Sequence, residues 1–158
     1  MKAISKGLLA AATVIAALGL AGTAWAQDAE TVIKDRQEAM KAQGKDMGAV
    51  KAFLDGKGEL AAALAGGTDL ATRIPQIPGL FPPKTGMAEF PGKSWAKPAI
   101  WADWDKFSAV DRTAGEKAVA LLSALKGGDK DKIAAAFGDM GKNGCGACHE
   151  PFREKKPS

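Results

Sequence analysis

Gly144-Cys145-Gly146-Ala147-Cys148-His149-Glu150 brings two thiols and one imidazole within five positions. A helix advances about 100° per residue, so Cys148 lies about 300° round from Cys145, and His149 about 40° past the Cys145 direction. All three side chains then share one helix face. Two thiols so placed can add across the vinyl groups on one edge of a porphyrin, and the adjoining imidazole can reach the iron. Cys-x-x-Cys-His is the attachment signature of a c-type haem.

Other chemistries use parts of this pentapeptide. A dithiol redox pair of the thioredoxin type sits near a βαβ pattern, and the chain shows none. A zinc site needs about four ligands, whereas the chain has two Cys and one His in total. A disulfide across two intervening residues closes too small a loop to stabilise much. One covalent haem c, with its iron, is the expected cofactor.

Residues 1–26 read as a cleaved signal peptide. Lys2 and Lys6 form a positive start, Gly7 to Leu20 is apolar, and Ala24-Trp25-Ala26 is a small-x-small cleavage site before Gln27. The apolar stretch is short for a membrane span and is followed by acidic residues. The expectation is export to the periplasm, with residues 27–158 as one domain and no membrane attachment after cleavage. Losing Lys2 and Lys6 takes 22 basic side chains to 20 against 18 acidic ones. Acids and bases are interspersed, and no basic run is interleaved with aromatics, so nucleic acid is not an expected partner.

The elements that must position the pentapeptide all read as helices. Asp28 to Asp55 carries Ile33, Met40, Met47 and Leu54 at seven-residue intervals, with Val50 and Phe53 beside them. Asp28 is a plausible cap. Arg36 and Gln43 fall where that stripe should be apolar, a placement that suits a helix crossing a haem edge. Gly56-Lys57-Gly58 ends it. Glu59 to Ile74 is a second, Ala-rich helix, weakened at Gly66-Gly67, where a bend or split is expected. Six of the eight prolines fall between Pro75 and Pro98, which predicts a long crossover loop.

Ala99 to Lys126 reads as a third helix burying Trp101, Trp104, Phe107, Ala114, Ala118, Leu121 and Leu125, and ending at Gly127-Gly128. Asp129 caps a fourth, whose stripe of Ile133, Phe137, Met140, Gly144, Cys148 and Phe152 leads into the haem motif. No period-two alternation marks a strand. The predicted fold is all-α, an antiparallel four-helix bundle with the haem near the C-terminal helix.

His149 is the chain's one histidine, so a second axial ligand from the same chain would be a methionine sulfur. Met140 shares the haem-bearing helix and belongs to the proximal side. Met87 lies in the crossover. Met40 and Met47 are two turns apart on the first helix's stripe, where methionine usually fills core. Spacing does not choose between them. Arg36, one turn before Met40 on the same face, could pair with a propionate and tilts the choice towards Met40.

Asp35-Arg36-Gln37-Glu38-Ala39-Met40-Lys41, Pro98-Ala99-Ile100-Trp101, Phe107 and Gly141 to Lys156, with Arg153 four residues after His149, together resemble the class II cytochromes c. That group holds cytochrome c′ and cytochrome c-556, and the similarity spans essentially the whole mature chain. The resemblance implies that the residue four after the first helix's Arg faces the distal side of the iron. It is a non-ligating residue in five-coordinate members and a ligating Met in low-spin ones. Here it is Met40, implying ligation by His149 and Met40. Arg36 and Gln37 would lie near a propionate, and Arg153 near the proximal face.

Two functions follow as expectations. A haem filled on both axial sides suits a single-electron carrier that meets redox partner proteins transiently, as monomer or homodimer, and is not an enzyme. A five-coordinate haem would instead bind NO or CO at its distal face. A peroxidase-like enzyme would need a distal acid or base, and the sole histidine is committed elsewhere.

Overall fold

The computed structural model describes residues 20–155, with side chains from residue 28 onward. Lys2, Lys6 and the apolar stretch up to residue 19 lie outside the described residues, as do the side chains around the expected cleavage site.

Helix α1 spans Leu20–Leu54. It begins before the expected Asp28 cap, because the Ala-rich stretch upstream carries no proline to stop it. Ile33 and Val50 are buried, and Met40, Met47, Phe53 and Leu54 pack against the core beside them. A turn through Gly56 leads to α2, Leu60–Arg73.

Helix α2 is not split at Gly66-Gly67. A Cβ on Gly66 would lie 2.8 Å from the Asp46 carbonyl oxygen of α1, and one on Gly67 2.6 Å from Leu125 Cδ1. The pair marks where α2 comes closest to both its neighbours. The close approach offsets the intrinsic helix cost of glycine, about 1 kcal/mol per residue.

After α2, a 3-10 turn over Ile74–Leu80 carries Pro75 and Pro78 and turns Ile74 and Ile77 into the core. The crossover is thus partly helical where its prolines predicted only loop. Pro75 falls at the start of the turn, where no amide donor is needed. The remainder is tied by its own hydrogen bonds: Thr85 Oγ1 donates to Pro82 O at 2.8 Å, and Met87 N to Ala96 O at 2.9 Å.

The third helical stretch is two helices, α3 over Ala99–Ala102 and α4 over Trp104–Gly127. Asp103 leaves helical geometry at φ −139° and ψ 69°, and its carboxylate caps α4 by accepting from Lys106 N at 3.1 Å. That break places Trp104 on an exposed first turn, 39% accessible, rather than in the core. Phe107, Ala114, Ala118, Leu121 and Leu125 are buried as predicted. Gly128, at φ +73°, closes α4 in the left-handed conformation.

Asp129 caps α5, Lys130–Asp139, by accepting from Asp131 N and Lys132 N. The rod then widens into π-helical turns over Met140–Gly146 and finishes as α6, Ala147–Phe152. Helices α1, α2, α4 and the α5–α6 rod form a four-helix bundle, with α2 packed on both α1 and α4, and α4 on the C-terminal rod. One antiparallel bridge joins Ala96 to Arg153; Lys97 N donates to Phe152 O at 2.9 Å and Glu154 N to Trp95 O at 2.8 Å. The crossover is thereby fastened to the chain just past the Cys-x-x-Cys-His motif.

Candidate haem site

Between α1 and α6 the bundle opens into a cavity of about 1080 Å³, just above the ~300–1000 Å³ range of ordinary ligand pockets. Ile33, Arg36, Gln37 and Met40 line it from α1, and Cys148, His149 and Phe152 from α6. Ile77, Phe81 and Phe107 close its interior, and Trp95 and Ala96 bring in the crossover.

The structure therefore brings Met40 and His149 to one cavity from two different helices. Met47 and Met87 are not among the lining residues. Met140 is buried elsewhere, its sulfur 2.9 Å from a Cβ built on Gly144. Gln43, the other polar residue on the α1 stripe, is not on the lining either; its Nε2 is buried without a partner between the helices. Cys145 is half-buried against the core one turn before Cys148, and only Cys148 of the two reaches the lining.

Electrostatics separate this pair of thiols from a redox dithiol. Burial, then the nearby Asp111 and Cys145, push the Cys148 thiol up to about 11, and burial also raises Cys145. A nucleophilic redox cysteine needs its thiol lowered instead. No cluster of three or more Cys, His, Asp or Glu able to hold a bare metal ion occurs among the described residues. Burial, then the Arg153 cation, lowers the His149 imidazole. It stays neutral near pH 7, the form that ligates a metal.

Arg36 is only 5% exposed and is largely spent within the protein. Its Nη1 donates to Leu80 O at 3.3 Å and Thr85 Oγ1 at 3.2 Å, and its Nη2 to Thr85 O at 2.8 Å and Ser94 Oγ at 3.0 Å. Burial brings it down to about 10, still cationic at neutral pH. Its first role is to hold the crossover on α1, while one edge still borders the cavity. Gln37 Nε2 donates to Lys93 O at 2.7 Å, fixing the same loop at its rim. Arg153 is exposed at the mouth.

Three features were not foreseen from sequence. Phe81, Phe107 and Phe152 form an edge-to-face series at 5.0 and 5.3 Å. Thr85 and Ser94 accept the Arg36 guanidinium. Asp111 is buried behind Cys148. For Asp111 a signal existed: it occupies the same α4 stripe as Phe107, Ala114 and Ala118.

A thiol, a neutral imidazole and a thioether lining one mostly apolar cavity fit a haem, which Cys148 would tether and whose iron His149 would ligate. With this bundle they define a haem-binding four-helix protein of the c type. The family model described as Cytochrome C′ matches residues 31–153, and the chain belongs to the cytochrome c′ family, which carries covalent haem c. It is 37% identical over 150 residues to a cytochrome c′ of Cereibacter sphaeroides, covering 92% of this chain and 96% of that protein. It is 34% identical over 128 residues to a cytochrome c-556 of Agrobacterium tumefaciens, covering 78% and 98%. The solved structure of a cytochrome c′ from Rhodobacter sphaeroides superposes with a TM-score of 0.72 at 34% identity, covering 80% of this chain and 98% of that one. A cytochrome c′ of Alcaligenes xylosoxidans, solved as a mutant in complex with nitric oxide, gives 0.69 at 30% identity, covering 80% and 97%.

Proposed function

We propose that this protein is a single-electron carrier whose one haem c is tethered by Cys145 and Cys148 and whose iron is held by His149 and Met40. The observation that carries the reading is the shared cavity: Met40 borders it from α1 and His149 from α6, with no other methionine or histidine on its lining. The bound haem supplies one-electron iron chemistry. The protein's part would be to hold His149 and Met40 in place. His149 is presented neutral. Met40 is presented from a helix pinned by Arg36. The apolar floor of Ile77, Phe81 and Phe107 excludes water. A thioether favours the reduced iron and raises the potential.

Gln37, Arg153 and the free edge of Arg36 are the candidates to receive propionates at the mouth. The motif at the N-terminus supports a periplasmic setting, and no described helix is long and apolar enough to cross a membrane. Redox partner proteins would meet the haem at the cavity mouth. One structural neighbour is described as a cytochrome c′ with ligand-controlled dimer dissociation, so a homodimer is as compatible with this bundle as a monomer.

A second reading has its own support. Several relatives are named cytochrome c′, and one neighbour was solved with nitric oxide bound. If Met40 stands off the iron, the same cavity is a distal pocket for NO or CO. The visible spectrum of the reduced protein with and without CO separates the readings: an unchanged spectrum supports the carrier, a large shift the gas binder.

A further inference from the structure

Helix α4 packs along the C-terminal rod with two fixed points of contact. Phe107 meets Phe152 edge to face at 5.3 Å, and a Cβ built on Gly144 would lie 3.7 Å from Ala114 Cα. Asp111 stands between Phe107 and Ala114 on α4, and Cys148 stands midway between Gly144 and Phe152 on the rod. The register therefore places Asp111 opposite Cys148. Their electrostatic coupling agrees, since the Asp111 charge helps to raise the Cys148 thiol.

Asp111 is 5% exposed, and among the described residues it makes no hydrogen bond and no ion pair. The neighbouring Arg112 cation acts on this carboxyl, but burial dominates its electrostatics, and a desolvated carboxyl next to a cofactor tether is a candidate functional group. Its remaining contact with solvent is a separate groove of about 630 Å³, lined by Pro75, Pro78, Ser108, Asp111, Gly115 and Val119. Of the charged groups around it, Arg112 and Glu116 share that groove from α4, and the 3-10 turn contributes only prolines there. The rod contributes Cys145 and Cys148. Lys117 and Asp139 are paired with each other at 2.8 Å.

The geometry points to Asp111 as a proton-binding site linked to the oxidation state of the haem. This inference rests on attachment at Cys148 and on the iron changing charge, but not on which group fills the distal side. Reduction of the haem by an external one-electron reductant would be matched at the Asp111 carboxylate by uptake of one solvent proton through the groove, forming one O–H bond. On oxidation the proton returns to the groove. The charge of the region stays constant through the cycle. Burial already holds this carboxyl at about 6, so a further negative charge on the macrocycle moves it across neutral pH. At an effective dielectric of about 20, unit charges at side-chain separations alter each other's proton affinity by roughly tenfold or more.

The test is the reduction potential of the haem-loaded protein, measured by spectroelectrochemistry between pH 5 and 8. The wild type is expected to lose potential as pH rises through this window. Asp111→Asn should be flat across it, and Asp111→Glu should restore the slope. A slope kept in Asp111→Asn overturns the proposal and assigns the proton to a propionate or another group. If Asp111→Asn fails to take up haem, the reduced-minus-oxidised infrared spectrum of the wild type decides. Reduction must create a protonated-carboxyl band that shifts in D2O, and its absence overturns the proposal. The carrier reading fails separately, through CO binding, which leaves this pH dependence in place.

Discussion

The guanidinium carbon of Arg36 lies 4.4 Å from the centroid of the Phe81 ring. That stack joins α1 to a series of packed rings, Phe81 on Phe107 and Phe107 on Phe152, which ends on the helix bearing Cys148 and His149. The two walls of the cavity are held at their spacing by one continuous set of contacts. A site that must grip a flat group from both sides requires a fixed gap between them.

Removing the guanidinium should therefore be expensive. Arg36→Ala takes the charged donor from the part-buried Leu80 carbonyl, the Thr85 carbonyl and the Thr85 and Ser94 hydroxyls, leaving the last three only their weaker neutral bonds to one another, to Pro82 O and from Ala96 N. The expected loss is about 2–4 kcal/mol, read from the midpoint of urea unfolding of the holoprotein. Arg36→Lys should recover less than half of it, because one ammonium cannot reproduce the fork of the guanidinium.

Glycine positions give a paired prediction on α1 and α2. Gly66→Ala drives a Cβ to 2.8 Å from the Asp46 carbonyl oxygen, and backbone cannot swing aside as a side-chain tip can. It should destabilise by about 1–3 kcal/mol. Gly44→Ala, with nothing within 4 Å of its Cβ, should stabilise α1 by about 0.5–1 kcal/mol. Thermal unfolding of both variants checks the contrast.

Asp111 also predicts a pH dependence of stability. Its folded value of about 6 stands above the ordinary unfolded value of about 3.9. The folded state thus holds more protons in that interval. Stability from this group is complete below about pH 4 and is lost as pH rises through 6, about 3 kcal/mol unscreened and on the order of 1–2 kcal/mol once solvent in the groove screens it. Asp111→Asn should remove this decline and be the more stable protein at pH 7, measured by urea unfolding at several pH values.

Each thiol has a chemical assay of its own. Cys148→Ser should leave haem attached by one edge bond at most, and the double replacement with Cys145→Ser should leave none covalent after acid–acetone extraction. The pyridine haemochrome spectrum reads both outcomes. Full retention of covalent haem in the double variant would remove the attachment assignment.

The haem motif was legible because covalent chemistry fixes residue types and spacing within five positions. Asp129 and Gly128 were legible for a similar reason, since caps are local. What sequence misjudged depends on partners far along the chain. Arg36 stood out on an apolar stripe, but its acceptors lie 44 to 58 residues away. Gly66-Gly67 looked like a weak point because the helices that crowd it, at Asp46 and Leu125, are invisible to local propensity. Trp104 was placed in the core by a period that ran unbroken through Asp103, which caps instead. The π-turns over Met140–Gly146 have no sequence signature of this kind.

The proposed ligation of one haem iron by the Met40 thioether and the His149 imidazole is tested most directly by the visible spectrum of the reduced protein under CO, for wild type and Met40→Ala. The account predicts no change in the wild type and a large CO-induced shift in the variant, where the distal side has lost its thioether. A wild-type spectrum that shifts with CO as fully as the variant's would contradict it, and the protein would then be a gas binder rather than a carrier.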